Sequence, residues 1–179
     1  MLSAWVGWHF GATAETVAAL FILWALIALT AIDLDHQLLP DLITLPLLWA
    51  GLTFHLWRGV PPAGSPFATL SDGVAGALAG YLSLWLIYHG FRLVTGKEGM
   101  GYGDFKLFAA LGAWLGWQAL PLVILLSAAT GAIVGITLIV LGRQQRGNPM
   151  PFGPYLAAAG FIALLYGRQL VGFYWHAAS

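Results

Sequence analysis

The sequence contains no cysteine and very few charged residues, and each shortage excludes a class of protein. Without cysteine the chain can form neither a disulfide nor a thiolate-bound zinc site. Lysine, arginine, aspartate and glutamate make up only 8% of the 179 residues, and seven positive side chains balance seven negative ones. A formal net charge of zero argues against nucleic acid as a partner.

Apolar sequence fills most of the chain instead. Hydrophobic residues make up 60% of it, the mean hydropathy is +0.83, and long uncharged runs recur. This composition is typical of a helical protein that crosses a membrane several times. The N-terminus has no positively charged region and Glu15 interrupts its apolar stretch, so a cleaved signal peptide is not predicted.

The apolar runs and the breakers between them predict an all-α, polytopic transmembrane bundle of about six spans, forming one membrane-embedded domain over residues 1–179. A helix needs ~20 residues to cross a bilayer. The segment 105–117 is shorter and predicts a thin or tilted span. Residues 1–10 cannot cross alone and are expected to be an interfacial segment or the end of a helix. The predicted spans are 14–33, 42–57, 72–94, 105–117, 120–141 and 155–175.

The orientation follows from the distribution of lysine and arginine. If the spans alternate, the connections 33–41, 93–106 and 142–153 lie on one side of the membrane, which depends on 105–117 crossing. Because loops rich in lysine and arginine stay inside, that side is predicted to face the cytoplasm. It carries Arg92, Lys97, Lys106, Arg143 and Arg146, against Arg58 and Arg168 on the opposite side.

Two carboxylates at the ends of apolar runs are the strongest functional signal. Asp33 ends the first long run, and Asp104 stands between glycines and the run that begins at Phe105. An ionisable group near hydrocarbon is costly and indicates function. Two carboxylates held close together cannot both ionise easily, so one keeps a proton while the other activates water. The pair predicts an aspartyl hydrolase without cofactor; the alternative for Asp104 is a helix cap before Phe105.

Glycine and lysine beside Asp104 are predicted to support the site. Gly101 and Gly103 are expected to take backbone angles that other residues avoid, or to approach a substrate closely. Lys106 is expected either to interact with Asp104 or a substrate carbonyl, or to serve as a positive anchor at the membrane surface.

Two further aspartates follow Asp33. Asp35 lies roughly 200° from Asp33 around a helix, so it is expected to be a supporting or solvated carboxylate rather than a catalyst. Asp41 follows Pro40 and is expected to cap the next helix or to support the site.

Other residue patterns are assigned structural roles. The five histidines have no ligand spacing, so no metal site is predicted. Two GxxxG patterns, 76–80 and 131–135, predict close helix contacts, within the chain or across a homodimer.

Three segments together resemble the bacterial type IV prepilin peptidases, which are intramembrane aspartyl proteases of the GxGD type. They are AIDLDHQLLPD at 31–41, GMGYGDFK at 99–106 and PFGPYL at 151–156. The likeness runs from about Trp8 onward. It implies that Asp33 and Asp104 are the catalytic pair in a multi-pass protein of the bacterial inner membrane, with the site toward the cytoplasm.

The resemblance also implies the substrates and one departure from the family. Prepilins and pseudopilins, of type IV pili and type II secretion, keep a short basic leader in the cytoplasm that is cleaved after a glycine. Bifunctional members carry a further N-terminal domain with a cysteine-based metal site, associated with methylating the new N-terminus. With no cysteine and little sequence before the first span, this chain is expected to be a peptidase-only form or a piece of a longer protein, which leaves methylation open.

Two rival functions make different predictions. A proton-coupled transporter also uses membrane carboxylates, but it predicts them in the middle of spans, whereas Asp33 and Asp104 stand at span ends. A structural assembly subunit would leave this aspartate pair unexplained. The sequence therefore favours the peptidase, acting on prepilins at the surface of a lipid bilayer.

Overall fold

The computed structural model describes residues 1–96, 100–142 and 151–178. Within these ranges the chain is helical and has no strand, which confirms the all-α bundle. Lys97, Glu98, Gly99, Arg143 and Arg146 lie outside the described residues. The helices are α1 (Leu2–Phe10), α2 (Ala14–His36), α3 (Asp41–Arg58), α4 (Leu70–Thr95), α5 (Tyr102–Leu115), α6 (Leu120–Val140) and α7 (Gly153–Ala178), with a short 3-10 helix (Trp117–Ala119) before α6.

Four helical segments are long and apolar enough to cross a membrane: α2, α4, α6 with its preceding 3-10 turn, and residues 153–172 of α7. With α3 and α5 between them, the bundle is compatible with the prediction of about six spans. Large apolar side chains such as Trp24, Leu86 and Ile136 point outward and are more than half exposed. A lipid environment explains such a surface, because soluble proteins rarely expose wide apolar areas. The chain is a multi-pass membrane protein.

Helix α5 occupies the centre of the bundle. Apart from Lys106, all its residues from Asp104 to Leu115 are buried, mainly by α4 and α3. Glycine makes this packing possible: a methyl group on Gly76 of α4 would overlap the backbone of Gly112 on α5. The first GxxxG pattern therefore serves contacts inside the chain, which leaves a homodimer through it without support.

The direction of α5 decides which connections meet. Just after its C-terminal end, the indole of Trp117 donates a hydrogen bond to the carboxylate of Asp72 at 3.2 Å. Asp72 lies in the first turn of α4. Helix α5 therefore runs antiparallel to α4, from one end of the bundle to the other. Its first residues lie at the end where α2 and α4 finish and α3 and α7 begin.

The opposite end of the bundle is closed by an ion pair and by α1. A guanidinium nitrogen of Arg58, at the end of α3, lies 2.7 Å from a carboxylate oxygen of Glu15, at the start of α2. Residues 2–10 form α1, which packs against α2 and buries Val6.

Candidate active site

Three chain connections meet around one cavity of about 500 Å³ at the end of the bundle. The first joins α2 to α3, the second leads into α5 and the third leads into α7. All three contribute to the cavity wall, as the alternation of the spans predicts. The wall includes Asp33, Leu39, Met100, Gly101, Asp104 and Phe152.

Asp33 lies in the last turn of α2 and is only 5% exposed. The helix ends three residues later because Gln37 takes a left-handed conformation, with φ of 51°, and turns the chain toward α3. The Oδ2 atom of Asp33 accepts a hydrogen bond from the backbone N–H of Gly153 at 3.0 Å. Asp33 is therefore a buried carboxylate with a backbone donor from another helix.

Asp104 is the third residue of α5 and is also 5% exposed. Its Oδ2 atom accepts a hydrogen bond from the backbone N–H of Gly101 at 3.1 Å. The helix therefore begins at Tyr102 rather than at Phe105, so its N-cap is Gly101 and not Asp104 as the alternative predicted. Asp104 is the N3 residue, and its carboxylate caps the helix by bonding the N–H of the N-cap residue. The capping hydrogen bond uses Oδ2, and the side chain also lines the cavity. Asp104 can therefore cap its helix and still take part in a reaction in the cavity.

The two carboxylates act on each other. Both are buried and both line the same cavity, and two carboxylates held in one site disfavour each other's ionisation. Where water is scarce this repulsion is stronger, so the pair holds one proton more readily than none. A shared proton provides an acid and a base side by side, which suits general acid–base hydrolysis of an amide.

Gly103 allows two segments to touch. A methyl group built on Gly103 would lie 2.6 Å from the Cβ atom of Leu39, in the connection between α2 and α3. Gly103 therefore does make the expected close approach, but it approaches Leu39 of the same chain and not a substrate. For Gly101, a methyl group would only meet Asp104 at 3.7 Å.

The unusual backbone angles expected at these two glycines are absent. Gly101 has φ of −83° and ψ of 151°, which any residue adopts. Gly103 lies inside the first turn of α5 and has no positive φ either. The expectation of unusual backbone angles was therefore wrong. Gly103 and Asp104, the second half of the GxGD segment, already lie in the first turn of α5.

Lys106 pairs with Asp41. Its Nζ atom lies 2.6 and 2.7 Å from the two carboxylate oxygens of Asp41. Asp41 is the first residue of α3, so Pro40 occupies the N-cap position that was predicted for Asp41. A carboxylate in the first turn still interacts favourably with the helix dipole. The ion pair links the start of α3 to the start of α5 at the rim of the cavity.

Asp35 and the histidines at positions 9, 36, 55 and 89 do not line the cavity. Helix α2 continues to His36, so Asp35 points away from Asp33 and is exposed, as helical geometry predicts. His55 is buried and its Nε2 atom lies 3.0 Å from the carbonyl oxygen of Ala113, a packing contact between α3 and α5. Among the described residues no group of three or more histidine, aspartate or glutamate side chains is placed to hold a metal.

Gly153 is the site residue that sequence reasoning missed. It is the first residue of α7, and its backbone N–H donates to Asp33. The atoms around it leave no room for a side chain. A methyl group there would lie 2.6 Å from Oδ2 of Asp33. The available signal was the segment 151–156, which was recognised as a motif but not assigned to the site.

The fold and the site define a multi-pass helical membrane protein whose paired, buried aspartates face one cavity at the end of the bundle. Residues 20–136, more than half of the chain, match the type IV leader peptidase family. The chain belongs to this family.

Curated relatives agree with this membership. The protein of Aeromonas hydrophila is 60% identical over 159 residues, 89% of this chain and 52% of its own length. The proteins of Pseudomonas aeruginosa and Legionella pneumophila are 55% and 45% identical over 174 residues, 97% of this chain and 58% of theirs. Each is named prepilin leader peptidase/N-methyltransferase. The chain thus spans little more than half the length of these relatives, and no solved structure matches it significantly.

Proposed function

We propose that this protein is an aspartyl endopeptidase that cleaves the leader peptide from type IV prepilins and pseudopilins. The observation that carries the proposal is the convergence of Asp33 and Asp104 on one cavity. These residues come from different helices, yet each is buried and each has a backbone donor. Membership of the type IV leader peptidase family supports the same assignment.

The pair can hydrolyse a peptide bond by general acid–base catalysis. The ionised carboxylate takes a proton from water as the water oxygen attacks the scissile carbonyl carbon. The protonated carboxylate donates its proton to the carbonyl oxygen, which gives a neutral tetrahedral diol. The C–N bond then breaks as a proton passes to the leaving amine, and the pair returns to its starting state with one proton.

The surroundings of the cavity suit a substrate that is partly apolar. Leu38 and Tyr102 line the cavity and are 60% and 52% exposed. Their apolar surface lies beside the polar pair at the end of a membrane bundle. A substrate with a polar cleavage site next to a hydrophobic helix would meet both surfaces at once, and prepilins have this organisation by the family resemblance.

The proposed location is the bacterial inner membrane, with the cavity facing the cytoplasm. Arg92 and Lys106 lie at the cavity end, whereas Arg58 and Arg168 lie toward the opposite end. The lysine and arginine of the connections, counted over the whole sequence, favour the cavity end as the inner one. The leader of a prepilin would then reach the site from the side on which it is made.

The proposal is confined to the peptidase reaction. The names of the relatives include an N-methyltransferase, but this chain spans only 52–58% of the three compared above. The paired aspartates offer acid–base chemistry and give no reason to assign methyl transfer to the described residues.

Co-expression with a prepilin tests the proposal. Mass spectrometry of the pilin should show loss of the leader when the wild-type chain is present and full-length prepilin when it is absent. Full-length prepilin in both cases, with the protein inserted in the membrane, would contradict the proposed function.

A further inference from the structure

The N-terminus of α7 points at the carboxylate of Asp33. The backbone N–H of Gly153, the first residue of this helix, donates to Oδ2 of Asp33 at 3.0 Å in a buried position. The N–H groups of a first helical turn have no partner inside their own helix, and the helix dipole makes this end positive. Asp33 therefore serves as an external cap for α7.

This contact offsets an unfavourable position of Asp33 in its own helix. Asp33 lies in the last turn of α2, where the dipole of that helix disfavours a negative charge. A positive helix end from α7 at the same carboxylate has the opposite effect. The two helices pack against each other, so the compensation is part of the fold.

Only glycine permits the contact at this distance. A methyl group on Gly153 would lie 2.6 Å from Oδ2 and 3.1 Å from Cγ of Asp33, and 3.2 Å from a methyl carbon of Leu39. Leu39 is also the residue that approaches Gly103. Leu39 therefore lies between one glycine of α5 and one of α7, and the segment that follows Asp33 is held on both sides.

We propose that Gly153 is a positioning residue for the peptidase reaction: its amide fixes Oδ2 of Asp33 and favours the ionised carboxylate, so that Oδ1 is presented to water. This inference rests on the function proposed above. It assigns α7 a direct part in catalysis, because the start of this helix sets the geometry of a carboxylate on α2.

Gly153→Ala tests the inference, with Gly167→Ala as the matched control. Gly167 lies on the same helix, and a methyl group there meets only Ala163 at an ordinary 3.7 Å. For Gly153→Ala we expect kcat for prepilin cleavage to fall by ~10-fold or more with KM within about twofold. The acid limb of its rate–pH profile should move to higher pH, because the carboxylate loses a donor to its ionised form. Gly167→Ala should match the wild type in all three.

A second variant separates the hydrogen bond from the added methyl group. Glycolic acid in place of Gly153, introduced by nonsense suppression, replaces the N–H by an ester oxygen and adds no side chain. We expect the same fall in kcat and the same shift of the acid limb. Wild-type kcat and an unmoved acid limb in the ester variant would overturn the inference, even if Gly153→Ala folds poorly. Failure of the wild type itself to cleave prepilin would instead contradict the proposed function.

Discussion

Gly103→Ala adds one methyl group at the tightest contact beside the site. The new carbon would lie 2.6 Å from Cβ of Leu39, whereas unstrained carbon atoms lie ~3.5–4.0 Å apart. The start of α5 and the connection between α2 and α3 must therefore separate by roughly 1 Å. Because Asp104 is next to Gly103 and Asp33 precedes that connection, the shift should change the geometry of the proposed catalytic pair.

The effect on activity should exceed the effect on stability. Overpacking of this kind costs ~1–3 kcal/mol, while alanine in a helix is ~1 kcal/mol more favourable than glycine. The net loss of unfolding free energy is therefore at most ~2 kcal/mol. A displacement of ~1 Å at a catalytic centre can lower the rate by ~100-fold. We expect kcat/KM of Gly103→Ala to fall by about that factor while the protein remains folded.

Gly90→Ala is the matched control for this experiment. It adds the same methyl group inside α4, at a residue that does not line the cavity and where no atom lies within 4 Å. It should lose little activity, because nothing at the site has to move. Cleavage of purified prepilin, followed by mass spectrometry, measures both variants. If Gly103→Ala stays within twofold of the wild type, the contact with Leu39 does not control the site.

Three further predictions concern charge, chemistry and orientation. A double-mutant cycle of Lys106→Met and Asp41→Asn should give a coupling of at most ~1 kcal/mol in unfolding, because both side chains are partly exposed; a larger value would contradict this. Activity should be bell-shaped in pH, since the pair must hold one proton, and chelators should not inhibit; zinc-reversible inhibition by a chelator would refute the mechanism. In a chain without cysteine, Ala63→Cys should react with an impermeant maleimide on intact cells and His36→Cys only after permeabilisation; the reverse pattern would place the cavity outside.

The sequence was sufficient for the parts of the site that follow from membrane topology. Alternating spans place the C-terminal end of α2 and the start of α5 on one side, which predicts that Asp33 and Asp104 lie at the same end of the bundle. Helical periodicity likewise separated Asp35 from Asp33. These inferences succeed because the bilayer fixes the direction of each span and the helix fixes the direction of each side chain.

The contacts that depend on packing could not be read from the sequence. Lys106 and Asp41 are 65 residues apart, and Gly153 and Asp33 are 120 apart. No local sequence pattern indicates that these residues meet, because the distance between them depends on how α3, α5 and α7 pack against the rest of the bundle. Glycine was the hardest case: the sequence predicted unusual backbone angles or a close approach at both Gly101 and Gly103, whereas the structure has close approaches at Gly103 and Gly153.

The central claim is that Asp33 and Asp104 act as one catalytic pair. The most direct measurement is the rate of prepilin cleavage by purified, folded Asp33→Asn and Asp104→Asn variants, with Asp35→Asn as the control for an exposed carboxylate. Asparagine keeps the shape of the side chain but cannot exchange the proton, so each catalytic variant should lose at least ~100-fold in rate. Asp35→Asn should remain within a few-fold of the wild type. Near wild-type cleavage by either Asp33→Asn or Asp104→Asn would contradict the account.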